Sequence, residues 1–291
     1  MKIRLHRSYL SVQDRRALHC HGKWMGTLLF IFIFMSIVLL ALVGCGAVGY
    51  SAAPSSQRRE TITVSAAISL KDAFKEIAAE FEKGNPDTQV VFNFASSGAL
   101  QMQIEQGAPV DVFASASPEQ MNSLEQKGLL AQGTRQDFAG NTAVLVAQKD
   151  GLASLASFAD LTLPQVRRLA IGNPSSVPAG SYAKQILSNV GLWDSVQPKI
   201  VLGENVEQVL TYVETGDVDA GIVYQTDAAD SKRVRTIAQA PPGSSKPIVY
   251  PIAVMASSKQ RDRAAAFVQA VTSPVPGQAI LSRYGFLPPP K

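Results

Sequence analysis

Between residues 61 and 286 the apolar positions change period again and again, from short β-branched runs to recurrence at three and four residues. The runs read as strands and the recurrence as amphipathic helix. TITVSAA at 61–67 is a strand; Leu70, Ala73, Phe74, Ile77, Ala78 and Phe81 follow at helical spacing, with Ser69 expected as N-cap and Gly84 as the stop. TQVVFNFA at 88–95 is the second strand, GALQMQIEQG the second helix and VDVFASA at 110–116 the third strand. Ser117-Pro118-Glu119-Gln120 opens another helix, with serine as cap, proline at the first helical position and Gln120 placed for a capping box. Strands at 142–148, 168–172, 199–202, 219–223 and 248–256 continue the series, with helices near 164–168 and at 181–190, 205–215, 259–272 and 275–284. This alternation predicts an α/β fold, with a frayed FLPPPK tail.

Ahead of this body lie 19 uncharged residues, 25–43, preceded by a basic segment, which fits a secretory signal or a membrane anchor. Leu42-Val43-Gly44-Cys45 resembles the lipobox of bacterial lipoproteins, so Cys45 is the expected acylation site and the domain is expected to work outside the cytoplasmic membrane while tethered to it. GAVGYSAAPSSQRRE, 46–60, reads as a linker. The leader also corrects the formal net charge of +4. It holds six of the 27 basic residues and one of the 23 acidic ones, which leaves the body with 21 and 22. A nucleic-acid binder would need a basic face, and that balance argues against one. All three histidines, His6, His19 and His21, lie in the leader, so the body lacks the commonest general base and metal ligand. Cys20 and Cys45 both lie outside the body, which therefore holds no disulfide of its own.

The candidate chemistry stands at the strand-to-helix junctions. A helix start offers unpaired N–H groups and about half a positive charge, enough to hold an anion without a cationic side chain. Four junctions carry small or hydroxyl residues: Ala67-Ile68-Ser69, Ala95-Ser96-Ser97-Gly98, Val177-Pro178-Ala179-Gly180-Ser181 and Glu204-Asn205-Val206. In open α/β sheets ligands sit beside the C-terminal strand ends, so two junctions from each half of the chain could converge on one cleft. Taken singly, each is equally a cap or a turn; Asn205 with Gln208 makes a capping box on its own.

Together AAISL (66–70), FASSGAL and QIEQGAPVDVFASA (94–116), NPSSVPAGSYAKQIL (173–187), ENVEQVL (204–210), GIVYQTDA (221–228) and RYGF (283–286) resemble the molybdate-binding proteins of ABC-type importers. The resemblance implies a two-lobed periplasmic-binding-protein-like α/β fold, each lobe a mixed sheet flanked by helices, with ligand in the cleft between lobes. It further implies a signal peptide at 1–44, a lipidated N-terminus and linker at 45–60, lobe one from 61–142 plus 249–291 and lobe two from 143–248, with hinge crossovers near 140–148 and 245–251. By motif, Ser69 and Ser97 would give hydroxyl and N–H, Ala179 and Val206 backbone N–H groups, and Tyr224 its phenol, all to molybdate or tungstate held as the oxyanion with no direct metal ligand. Ser96 would support the turn. No cofactor is implied; the partner is a membrane permease and the expected state a monomer. Two positions depart from the family pattern, Ile68 where alanine is common and Gly98 where a serine or other small residue is common.

Other readings are open to the same residues. Ser181-Tyr182-Ala183-Lys184 matches the Ser-x-x-Lys of penicillin-recognising enzymes, but the companion Ser-Asp-Asn and Lys-Thr-Gly are absent, so no enzyme is expected. Asp217 and Asp219 read as turn residues rather than a cation loop, and Trp193 as a packing residue. The same scaffold could serve sulfate, phosphate or an organic anion, yet Glu204 is the sole acidic residue in the four junctions and no arginine stands in them.

Overall fold

The first strand and helix set the pattern repeated throughout. β1 (Glu60–Ala67) sends Ile62, Val64 and Ala66 into the interior, and a single 3-10 turn at Ile68–Leu70 leads into α1 (Lys71–Gly84). Ala73, Phe74, Ile77, Ala78 and Phe81 form the buried stripe of that helix. Each large side chain so buried contributes about 1.5–3 kcal/mol. The computed structural model describes residues 59–152 and 154–290. The apolar run 25–43, Cys45 with its lipobox, and all of the linker before residue 59 lie outside the described residues.

Two five-stranded mixed sheets carry the molecule. The first holds β1, β2 (Thr88–Ala95), β3 (Val112–Ala114), β4 (Gln136–Asn141) and β10 (Ile248–Val254) in the order β2-β1-β3-β10-β4. Here β1 runs parallel to β2 and β3, while β10 is antiparallel to β3 and β4. The second holds β5 (Ala143–Gln148), β6 (Leu169–Gly172), β7 (Ile200–Gly203), β8 (Ala220–Tyr224) and β9 (Val234–Gln239) in the order β7-β6-β8-β5-β9. There β6 is parallel to β7 and β8, and β5 antiparallel to β8 and β9. The chain passes from the first sheet to the second at Thr142 alone and returns through residues 240–247.

Helices fill both faces of each sheet. In lobe one these are α1, α2 (Ser97–Glu105), α3 (Pro118–Gln126), α8 (Arg261–Thr272) and α9 (Ala279–Arg283). In lobe two they are α4 (Pro178–Asn189), a single turn α5 (Trp193–Val196), α6 (Val206–Thr215) and α7 (Gln225–Asp230). The main core runs through both lobes, and a smaller cluster of Leu100, Ile104, Val110, Phe113, Met121, Leu124, Ala253 and Met255 lies beneath α2 and α3.

Several local expectations change. Ser69 caps nothing, because it sits inside the 3-10 turn and α1 starts after Leu70 with no side-chain cap. Gly84 is the last residue of α1 rather than the residue beyond it; Asn85 closes the end, its Nδ2 donating to Phe81 O at 2.8 Å. Ser117 does cap α3, accepting from Glu119 N at 3.2 Å, but Gln120 does not complete the box, and its Oε1 is buried without a partner among the described residues. Asn205 caps α6 through Gln208 N at 2.9 Å, while Gln208 Oε1 reaches Glu204 N, one residue before the cap. No helix forms at 164–168: a 3-10 turn at Ala159–Thr162 takes its place, fixed by Asp160 Oδ2 accepting from the N–H groups of Ala156 and Ser157. The strands β4 and β9 and the short helices α5 and α7 have no counterpart in the apolar pattern.

Candidate functional site

Three helices start at one place. Ser97 is the first residue of α2, Val206 the first of α6, and Ala179 the second of α4 behind Pro178, which has no N–H to offer. These leading N–H groups have no acceptor within their own helices, and each start adds roughly half a positive charge. Ser69, in the turn before α1, and Tyr224, the last residue of β8, complete the group. All five residues line one small, tightly closed cavity in the cleft between the lobes, and among the described residues no charged side chain lines it. Lobe one thus contributes two hydroxyls and lobe two contributes main-chain N–H groups and a phenol.

The hydroxyls are supported from behind. Ala116 N donates to Ser97 Oγ at 3.0 Å, so the fully buried Ser97 receives a hydrogen bond from the main chain and keeps its own proton for the cavity. Ser96 is the N-cap of α2 by backbone conformation, yet its side chain makes no capping bond. Ser69 Oγ lies 3.2 Å from Tyr250 Oη, which is 3.3 Å from Asn141 Nδ2. The Tyr224 hydroxyl is buried and has no partner among the described residues. An orphaned hydroxyl of this kind costs about 1–3 kcal/mol, which an acceptor in the cavity would offset. Burial, reinforced by Tyr250, Tyr182 and Asp227, pushes the Tyr224 phenol well above its usual range and keeps it a donor at neutral pH.

Close backbone packing holds the donors in place. A Cβ on Gly180 would stand 1.9 Å from Gly172 O, so only glycine lets the start of α4 rest on the end of β6. The Val-Pro-Ala-Gly stretch is therefore a helix start seated on a strand, not a free turn. Across the cleft, Gly98 N donates to Ser176 O at 3.0 Å and a Cβ on Gly98 would lie 2.4 Å from that oxygen. Lys71 Nζ meets Glu207 Oε1 at 2.9 Å, a second direct bond between lobes. These contacts define a closed cleft.

Asn141, Tyr250 and Ala116 were not legible as site residues: Ala116 lines the cavity and donates its N–H to Ser97, Tyr250 stands behind Ser69 and Asn141 behind Tyr250, and none of them belongs to the four junctions. The residues behind the other readings stand elsewhere. Ser181 and Lys184 line a separate polar groove on lobe two, with Lys184 Nζ 5.2 Å from the centre of the Trp193 ring. Trp193 itself packs against the core. Asp219 Oδ2 accepts from the N–H groups of Arg167 and Arg168, and Asp217 accepts from Thr215, as turn residues do. Among the described residues no group of three or more acidic, histidine or cysteine side chains is placed to hold a metal ion.

A cavity of neutral donors between two α/β lobes is suited to capturing a small anion rather than to transforming it. Comparison with known proteins agrees. The model of the family described as bacterial extracellular solute-binding protein matches residues 62–287. A Bacillus subtilis protein provisionally named ABC transporter substrate-binding lipoprotein YvgL is 40% identical over 256 residues, 88% of this chain and 96% of that protein. The molybdate-binding protein ModA of Haemophilus influenzae is 38% identical over 217 residues, 74% of this chain and 84% of that protein. The Azotobacter vinelandii periplasmic molybdate-binding protein superposes with a TM-score of 0.70 at 27% identity, over 79% of this chain and 100% of that one. With its two-lobed fold, its donor-lined cleft and a family match running from β1 to the C-terminal segment, the chain belongs to the bacterial extracellular solute-binding proteins.

Proposed function

We propose that the protein is the substrate-binding component of an ATP-driven molybdate importer, capturing molybdate, and tungstate with it, as the tetrahedral dianion and delivering it to a membrane permease. The observation that carries this reading is the convergence of Ser69, Ser97, Ala179, Val206 and Tyr224 on one small interlobe cavity that offers donors and no charge. Hydrogen bonds to a charged acceptor in a cleft that excludes water are about twice as strong as neutral ones, so a shell of such donors can hold a dianion without arginine or lysine. The fit extends to the buried Tyr224 hydroxyl, which lacks any acceptor of its own. Sulfate has the same charge but is smaller than molybdate, and its oxygens fall short of some donors. Hydrogen phosphate brings a proton for which the shell has no acceptor.

The lobes, 61–142 plus 249–291 and 143–248, close about the crossovers at Thr142 and 240–247, and the closed, loaded face is what a permease would recognise. Lipid attachment at Cys45, working position outside the cytoplasmic membrane and a monomeric state complete the proposal. Support for the tether comes from the lipobox and from the word lipoprotein in the name of the Bacillus relative.

Isothermal titration of residues 46–291 tests the reading. Molybdate and tungstate are expected to bind one per chain, with sulfate and phosphate far weaker. Heat from sulfate or phosphate alone would reassign the same site to that anion, and silence from all four would end the oxyanion reading.

A further inference from the structure

The direction of the hydrogen bonds behind Ser69 can be read from their far end. The backbone N–H of Thr142 can only donate, and it donates to Asn141 Oδ1 at 2.8 Å. That fixes the amide, so Asn141 Nδ2 is the atom that faces Thr226 Oγ1 at 3.0 Å and Tyr250 Oη at 3.3 Å. Tyr250, with no exposed surface, thus accepts from Asn141, and its single proton is left for Ser69 Oγ at 3.2 Å. Ser69 accepts in turn, and its own proton turns into the cavity. The opposite polarity would aim two donors at Tyr250 and leave its proton with no acceptor in a buried site, an arrangement that structures avoid. Tyr224 lies beside Tyr250, with ring centres 5.9 Å apart. The Tyr224 hydroxyl does not take that proton, since it has no hydrogen-bond partner among the described residues.

We infer that Asn141 and Tyr250 are positioning residues that lock Ser69 as a donor, so that discrimination between a fully deprotonated tetrahedral dianion and one that retains a proton is set behind the cavity rather than at its wall. The inference rests on the oxyanion reading of the site. An anion that keeps a proton needs one hydroxyl to accept from it. To turn its oxygen fully towards such an anion, Ser69 would have to return its own proton to Tyr250, and Asn141, held by the main chain at the crossover, blocks that reversal. Ser97 is held in the same sense by the main-chain N–H of Ala116, so each lobe-one hydroxyl has one lone pair engaged from behind and its proton left for the cavity.

Tyr250→Phe tests this, since it keeps the ring packed between Phe138 and Phe286 and removes only the hydroxyl. Titration with molybdate, and with inorganic phosphate at neutral pH directly and in competition, is expected to show molybdate weakened about ten-fold and phosphate unchanged or tighter, so the preference narrows by at least that factor. Equal weakening of both anions would mean that Tyr250 only packs the site, and an unaltered preference would equally overturn the inference. If phosphate is silent in every variant, a cycle on molybdate alone decides. Asn141→Asp keeps an acceptor for Thr142 N–H but gives Tyr250 an acceptor where it had a donor. Its cost to molybdate binding is expected to be about ten-fold greater with Tyr250 present than on top of Tyr250→Phe, because charge repulsion is common to both backgrounds. Additive losses would overturn the relay. A native protein that binds no oxyanion removes the functional reading and this inference together; a native protein that binds molybdate while Tyr250→Phe matches it in affinity and preference removes the inference alone.

Discussion

In lobe one the sheet β2-β1-β3-β10-β4 is packed by rings, with Phe267 meeting Phe74, Phe81 and Phe92 at centroid distances of 6.2, 5.5 and 6.3 Å. In lobe two a sheet of the same order and strand directions, β7-β6-β8-β5-β9, is packed mainly by Val, Leu, Ile and Ala. The donors follow a parallel division. Lobe one presents Ser69 and Ser97, whose hydroxyls are side-chain groups, whereas Ala179 and Val206 of lobe two present main-chain N–H groups that any residue except proline would supply. One scaffold therefore tolerates two core chemistries, because strand order is set by hydrogen bonds and connectivity and not by the kind of apolar side chain. The two walls of the cleft should differ sharply in what a substitution does to them.

The largest effect is expected from Phe267→Ala, which removes the ring at the centre of the lobe-one cluster. The loss should be about 3–5 kcal/mol in urea denaturation, and a value below 1 kcal/mol would mean that the aromatic core is not what separates the lobes energetically. Ser97→Ala deletes a proposed donor to the anion and also the acceptor of Ala116 N–H. Anion affinity should fall by about 1.5–3 kcal/mol in titration calorimetry. Gly98→Ala tests closure rather than chemistry. Its methyl would press on Ser176 O, and the strain, about 1–3 kcal/mol, should appear as weaker binding and a more open loaded form by small-angle scattering.

Smaller and dependent on pH is Asp227→Asn. Burial pushes the Asp227 carboxyl from 3.8 up to about 7, with Asp230 and Glu207 adding to the rise and the N–H of Tyr224 opposing it. The native state then holds a proton that the unfolded chain has released, so stability declines as pH climbs from about 4 to 7 and is level above. Asparagine can still accept from Tyr224 N and carries no charge. Its gain in melting temperature should grow across that window, and a gain independent of pH would refute the assignment. The smallest change is expected from Val206→Ala, which leaves the donating N–H in place. Anion affinity should move by less than about 0.5 kcal/mol, and a loss as large as that of Ser97→Ala would break the contrast between the two walls.

The sequence disclosed apolar strands more readily than polar ones. β1, β2, β6 and β8 are apolar runs because helices or neighbouring strands cover them, and their reading from the chain matches the fold to within a residue or two at each end. The two missed strands, β4 and β9, are last in the order of each sheet, but β2 and β7 at the opposite edges were legible, so it is their polar composition that hides them. Gln136 and Asp137 are exposed and Gly140 and Asn141 read as turn residues, so QDFAGN looks like a loop until β10 is laid beside it. Likewise QTDAAD has no apolar stripe to betray α7. The cavity wall was legible because hydroxyls and small residues recur at helix starts. The support behind it was not, since Asn141 and Tyr250 are brought to Ser69 by tertiary pairing of β4 and β10 across more than a hundred residues.

That late strand also bears on how the chain comes together. β10 inserts between β3 and β4, pairing Ala253 with Phe113, so the lobe begun first in the sequence is finished last. The other sheet draws only on residues 143–239 and is whole before β10 has been made. A polypeptide delivered from its N-terminus would present a nearly complete lobe two beside β1, β2 and β3 with an open edge at β3 and β4 still without its neighbour, a surface prone to wrong pairing until residues 248–254 arrive. Ser69 would lack Tyr250 for the same interval. The protein becomes able to hold its anion only once β10 has been made and inserted, which ties competence for capture to the arrival of that one strand.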